Sequence, residues 1–94
     1  MNITVQFEAQ LRHVAGVGQA SVIVPDGSSV EDALHAVTSK FGLLLGERLI
    51  AVNGTTHRSI LLFVNDKPVA HAAVAEHRLK AGDVLLLYPP ISGG

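Results

Sequence analysis

Apolar and polar side chains alternate from the start of the chain: Ile3, Val5 and Phe7 are separated by Thr4, Gln6 and Glu8. That is the period of a strand with one buried face and one wetter face. A glycine-punctuated stretch, Ala15-Gly16-Val17-Gly18, leads to a second β-branched run from Ala20 to Val24, closed by Pro25-Asp26-Gly27, residues that favour a turn. The two strands are expected to pair as a hairpin. The period then changes, because Val30, Leu34, Val37 and Phe41 recur at helical intervals and draw a single stripe for burial. Ser28 or Ser29 can cap the start, with Ser28 and Glu31 at the spacing of a capping box. Gly42 can supply the left-handed conformation that closes the last turn. Glu31 and Asp32 near the beginning and Lys40 near the end suit the helix dipole.

Strand patterns return in the second half. Leu49 to Val52 and Ile60 to Val64 flank an Asn53-Gly54 turn as a second hairpin, and Asn65-Asp66-Lys67-Pro68 makes a further turn. Lys80-Ala81-Gly82-Asp83 then turns the chain into Val84 to Tyr88, a run so apolar on both parities that it belongs in the middle of a sheet. Pro89 and Pro90 lack the N–H a ladder needs and favour an extended conformation. Ile91-Ser92-Gly93-Gly94 is therefore expected to leave the globule. The order strand, strand, helix, strands and a final central strand resembles the β-grasp of ubiquitin-like proteins. It implies an α+β fold in which a mixed sheet packs on one main helix, with residues 1–88 as the domain and residues 89–94 as a flexible C-terminal tail. One helix covers only one sheet face, yet Leu61 to Val64 and Leu85 to Leu87 are apolar on both parities. Either some apolar surface is left for a partner, or loops from residues 42–59 or 70–79 fold over it.

Composition narrows the function. At 94 residues, 48% hydrophobic and 16% charged, the chain is one small domain with ample apolar material. Seven Lys and Arg against eight Asp and Glu, with no basic run, argue against nucleic acid as a partner. Cysteine is absent, which excludes a disulfide framework, a thiolate metal site and a thiol nucleophile. No apolar run approaches the ~20 residues of a membrane span, so the expected location is the cytoplasm, with no membrane partner.

Catalytic motifs are also missing: there is no Gly-x-Ser-x-Gly, no phosphate-binding glycine loop and no helical His/Glu metal pattern. His13, His35, His57, His71 and His77 are scattered, and no metal site is expected. The unusual feature is the end, Tyr88-Pro89-Pro90-Ile91-Ser92-Gly93-Gly94. Its reactive group would be the α-carboxylate of Gly94, a poor electrophile until it is joined to an adenylate. Glycines without Cβ allow the closest approach of backbone to a nucleotide. Six extended residues from Pro89 reach up to roughly 20 Å, enough to enter a neighbouring enzyme, and the prolines lower the ordering cost of docking. With nine Gly in the chain, a terminal pair arises by chance in about one chain in a hundred.

These residues resemble the MoaD/ThiS family of ubiquitin-like sulfur carriers, and most closely its molybdopterin-synthase small-subunit branch. Ile3 to Arg12 is similar to the family's opening strand and Phe-x-Ala-x-x-Arg pattern, Val30 and Leu34 sit where its helix begins, Leu79 to Asp83 resembles its Leu-x-x-Gly-Asp turn, and Pro89 to Gly94 resembles its Pro-Pro-x-x-Gly-Gly ending. The resemblance implies that an E1-like adenylating enzyme uses ATP to activate Gly94, and that sulfur from a persulfide converts it to a thiocarboxylate. The charged tail then enters the molybdopterin synthase large subunit, or another sulfur-accepting enzyme, whose own groups do the catalysis. Gly94 is the acyl and sulfur donor and Gly93 the steric permit. No catalytic base and no stably bound cofactor are implied for this chain.

Extra sequence around Gly46 to Ser59 departs from the compact small subunits and resembles the layout of carriers for cysteine or homocysteine synthesis. Thiazole-synthesis carriers share the Gly-Gly end. Two other classes stand beside sulfur carriage: a protein modifier, whose adenylate passes to a lysine of a target, and a plain β-grasp binding module working through its apolar sheet face. Pro89, Pro90, Ile91 and Ser92 are expected to line the partner's channel. Phe63, Leu85, Leu87 and Tyr88 are candidates for the partner surface, Tyr88 combining an apolar ring with a reachable hydroxyl.

Overall fold

The structure is a computed structural model and describes residues 1–89. Five strands, β1 (Asn2–Phe7), β2 (Gln19–Ile23), β3 (Leu61–Val64), β4 (Lys67–Val69) and β5 (Val84–Tyr88), form one mixed sheet in the order β2-β1-β5-β3-β4. β5 is the central strand, parallel to β1 and antiparallel to β3. The alternation read from Ile3, Val5 and Phe7 is real: all three are fully buried. β2 pairs with β1 as expected, Val5 lying opposite Ala20.

The connection between those strands is not a simple turn. Gln10–Ala15 forms a short helix, α1, with Leu11 buried and Gly16 ending it at φ 80°. The main helix, α2 (Val30–Phe41), starts one residue later than the Ser28/Glu31 spacing suggested. Ser29 accepts from Asp32 N–H, and the Asp32 carboxylate accepts from Ser29 N–H in return, so two otherwise orphaned donors are satisfied. Ser28 instead donates its hydroxyl to Pro25 O at 2.7 Å. Val30, Ala33, Leu34 and Val37 are buried, while Phe41 is half-buried and meets Phe7 edge-on, ring centroids 5.3 Å apart.

Gly42 takes a positive φ of 94°, as expected, but its extended ψ sends the chain directly into another helix, α3 (Leu43–Leu49). The strand expected over Leu49 to Val52 is therefore a correction: Leu45 and Leu49 point into the core four residues apart, which is helical spacing. Only a single bridge, Ile50 to Thr56, remains, closing a small loop around Asn53-Gly54. The second hairpin is β3–β4, turned at Asn65 and Asp66, both at positive φ, the signature of a type I′ turn. Asn65 also bonds Asp83 and Val84 N–H, tying this turn to the one that precedes β5.

One core unites the inner sheet face with all three helices and a 3-10 turn at His71–Ala73. Three helices thus stand where one main helix was expected, α2 being the longest. Residues 42–59 and 70–79 do not fold over the second sheet face: Leu45, Leu49 and Val74 fill the inner face instead, and the outer face keeps Leu61 and Tyr88 exposed. No helix among the described residues is long and apolar enough to cross a membrane.

Candidate functional site

The sheet's outer face is built by strand parity. In β3 the buried residues are Leu62 and Val64, so Leu61 and Phe63 face outward, and in β5 burial of Leu85 and Leu87 leaves Val84, Leu86 and Tyr88 outward. Register brings these together: Leu61 lies opposite Tyr88, Phe63 opposite Leu86, and Pro68 of β4 opposite Phe63. The rings of Phe63 and Tyr88 meet edge to face, centroids 5.8 Å apart at 78°. Across β5 the character changes, because Thr4 and Gln6 of β1 and Gln19 and Ser21 of β2 continue the face. The result is an apolar half over β4, β3 and β5, next to a half that is polar apart from the exposed Ile23 of β2.

Two of the expected partner residues are corrected by this geometry. Leu85 and Leu87 are fully buried, opposite Val5 and Phe7 in the parallel ladder, and offer a partner no surface. Phe63 is half-buried and Tyr88 is 38% exposed. Leu61, Leu86 and Pro68 were missed, although a signal existed: an all-apolar strand takes its parity from its neighbour, and β1 alternates clearly.

β5 ends at Tyr88 with Glu8 N–H donating to Leu87 O at 3.0 Å, and Pro89 follows half-buried. Pro90, Ile91, Ser92, Gly93 and Gly94 lie outside the described residues. The apolar half of the outer face is thus carried by the strand that leads to the end of the chain.

Little else among the described residues suggests chemistry. No group of His, Asp and Glu there could hold a metal ion. Ser59 Oγ lies 2.6 Å from His57 Nδ1, but that nitrogen also accepts Ser59 N–H, an arrangement that closes a tight turn. The Asp32 carboxylate is held below its ordinary range, chiefly because Ser29 N–H donates to it, and it serves the helix cap.

A model of the ThiS family matches residues 5–94. The chain is 31% identical to small archaeal modifier protein 3 of Haloferax volcanii, over all of both proteins. It is 29% identical to the molybdopterin synthase sulfur carrier subunit of Drosophila yakuba, over all of this chain and 92% of that one. The crystal structure of SAMP1 from Haloferax volcanii superposes with a TM-score of 0.86 at 29% identity, all of both chains being covered. With its five-stranded mixed sheet, its β-grasp neighbours and a family match running to Gly94, the chain belongs to the ThiS family of ubiquitin-like sulfur carriers and modifiers.

Proposed function

We propose that this protein carries sulfur as a thiocarboxylate on Gly94 for the synthesis of molybdopterin. The carrying observation is that the family match reaches Gly94 through a strand whose outward side chains form an apolar docking face. The carboxylate attacks the α-phosphorus of ATP on an adenylating partner, releasing pyrophosphate and leaving an acyl-adenylate. The terminal sulfur of a persulfide attacks that carbonyl and AMP departs, giving an acyl disulfide. A thiol then attacks the disulfide, and its electron pair leaves on the thiocarboxylate. At the acceptor enzyme the thiocarboxylate sulfur bonds to an electrophilic carbon of the acceptor and displaces its leaving group, and water then cleaves the acyl–sulfur bond, which leaves the sulfur on the acceptor and restores the carboxylate.

This chain contributes binding and presentation: Phe63, Tyr88, Leu61 and Leu86 rest on the partner while Pro89 to Gly94 enter it. The molybdopterin assignment is supported by the relative named as that synthase's sulfur carrier subunit. A second reading, a protein modifier joined to lysines through the same adenylate, is favoured by the 31% identical relative named a small archaeal modifier protein.

Intact mass of the protein from its own host tests both. A mass increase matching exchange of one carboxylate oxygen for sulfur, mapped to Gly94, is expected. An unmodified mass with ATP and the cognate adenylating enzyme, or sulfur transfer that survives deletion of Gly94, would overturn carriage. Isopeptide-linked adducts in place of the thiocarboxylate would favour the modifier.

A further inference from the structure

Arg12 is an exposed arginine held in an unusual seat. It stands four residues after Glu8, a spacing at which a helix pairs opposite charges, yet the two do not bridge. The only ion pair among the described residues joins the Met1 amine to Asp26. The reason is local: Ala9 lies at φ 49° and α1 starts only at Gln10, so Glu8 belongs to the end of β1 rather than to the helix. The guanidinium instead lies against Gly18, where a Cβ would come within 2.8 Å of Nε and closer still to Nη2. Gly18 is not at positive φ, so its backbone does not itself call for glycine, and the space a side chain would take is filled by the guanidinium.

The seat is next to the end of β5. Phe7 N–H donates to Gly18 O on one side of β1, and Glu8 N–H donates to Leu87 O on the other. Gly18, Phe7 and Leu87 therefore lie side by side, and two strand spacings put Arg12 about 10 Å from the place where β5 runs out. Gly18 faces the same side as Phe7, the inner face, whereas Tyr88 faces outward. An enzyme that closes around the departing chain meets an apolar wall on one side and, on the other, a cation with no ion-pair partner among the described residues.

We propose that the Arg12 guanidinium, seated on Gly18, receives a carboxylate side chain of the adenylating enzyme that takes the tail; this rests on the function proposed above. A planar fork of N–H donors matches a carboxylate, and no carboxylate of the described chain occupies it.

The test is ATP–pyrophosphate exchange by the cognate adenylating enzyme, titrated with the full chain. Arg12→Ala is expected to raise the KM for the chain about tenfold and to flatten its dependence on salt, with the KM for ATP unchanged. Gly18→Ala, which keeps the charge but displaces the fork, is expected to raise the same KM by a smaller factor. Melting temperatures establish that the variants are folded. An unchanged KM for the chain in Arg12→Ala overturns the proposal, and so does a change confined to the KM for ATP, which would mean that the guanidinium serves a phosphate. An unchanged KM in Gly18→Ala overturns the role of the seat. No exchange with the wild-type chain, when deletion of Gly94 behaves identically, would overturn sulfur carriage and this inference with it.

Discussion

Phe63 and Tyr88 touch edge to face across two neighbouring strands, on the side of the sheet that no helix among the described residues covers, with their centroids 5.8 Å apart. A buried aromatic pair of this kind would serve the core; on the outer face it offers a preformed surface whose ordering cost has already been met.

Replacing Phe63 by Ala should therefore weaken binding to the tail-accepting enzyme by about 1–2 kcal/mol, roughly five- to thirtyfold. Calorimetric titration measures this directly. A Phe63→Ala variant that binds as tightly as the wild type would remove the outer face from the interface.

Adjacent leucines should behave oppositely. Leu85→Ala empties a fully buried position and should cost about 2–5 kcal/mol, lowering the melting temperature by roughly 10 °C or more. Leu86→Ala, on the outer face, should lower it far less and should instead weaken partner binding. Thermal melts of the two variants side by side check the parity assigned to β5.

The α2 cap gives a pH prediction with a definite sign. Ser29 N–H, the largest influence, holds the Asp32 carboxylate below its ordinary value of 3.8. A carboxylate with a lowered folded pKa contributes stability above its unfolded pKa and loses it as pH falls through the folded value. The melting temperature should thus fall in acid below about pH 4, and Asp32→Asn should flatten that fall. Ser29→Ala, which removes the hydroxyl acceptor, should cost about 1 kcal/mol at neutral pH.

At the β3–β4 turn, Asn65 and Asp66 have φ of 49° and 70°. Asp66→Gly should leave stability unchanged or raise it, since glycine adopts this conformation without strain. Asn65→Ala should lower it by about 2 kcal/mol, because strain at positive φ is added to the loss of the bonds to Asp83 and Val84. Urea unfolding of both variants separates the backbone effect from the side-chain effect.

Much of this architecture was legible wherever one pattern excluded the others. Ile3, Val5 and Phe7 alternate, the 30–41 stripe is helical, and the run from Val84 to Tyr88 is central as expected. α1 was invisible because six residues with one buried leucine leave almost no periodic signal. α3 was not anticipated: the expected strand began at its last residue, Leu49, and the helical spacing of Leu45 and Leu49 is too short a signal to stand out. Ser29, one of the two serines expected to cap α2, does so, while the capping box lies one residue later than expected because Ser28/Glu31 and Ser29/Asp32 have the same spacing. Of the four side chains expected at a partner surface, Phe63 and Tyr88 face outward, while Leu85 and Leu87 follow Val5 and Phe7 into the core. The proposed chemistry at Gly93 and Gly94 stands on sequence and family alone.

The place of β5 also has a mechanical meaning. Under the proposed function the protein is handed from one enzyme to another by its end, and any pull on that end acts along β5. Here the load enters the middle strand, held between β1 and β3, whose hydrogen bonds run across the strand and not along it. Tension along the strand therefore strains both ladders together in shear, and Leu85 and Leu87, locked among the core side chains, resist the same slip. An edge strand would peel one bond at a time. Tension on the tail is thus shared by two ladders and the core, whereas an edge strand would meet it with one ladder alone.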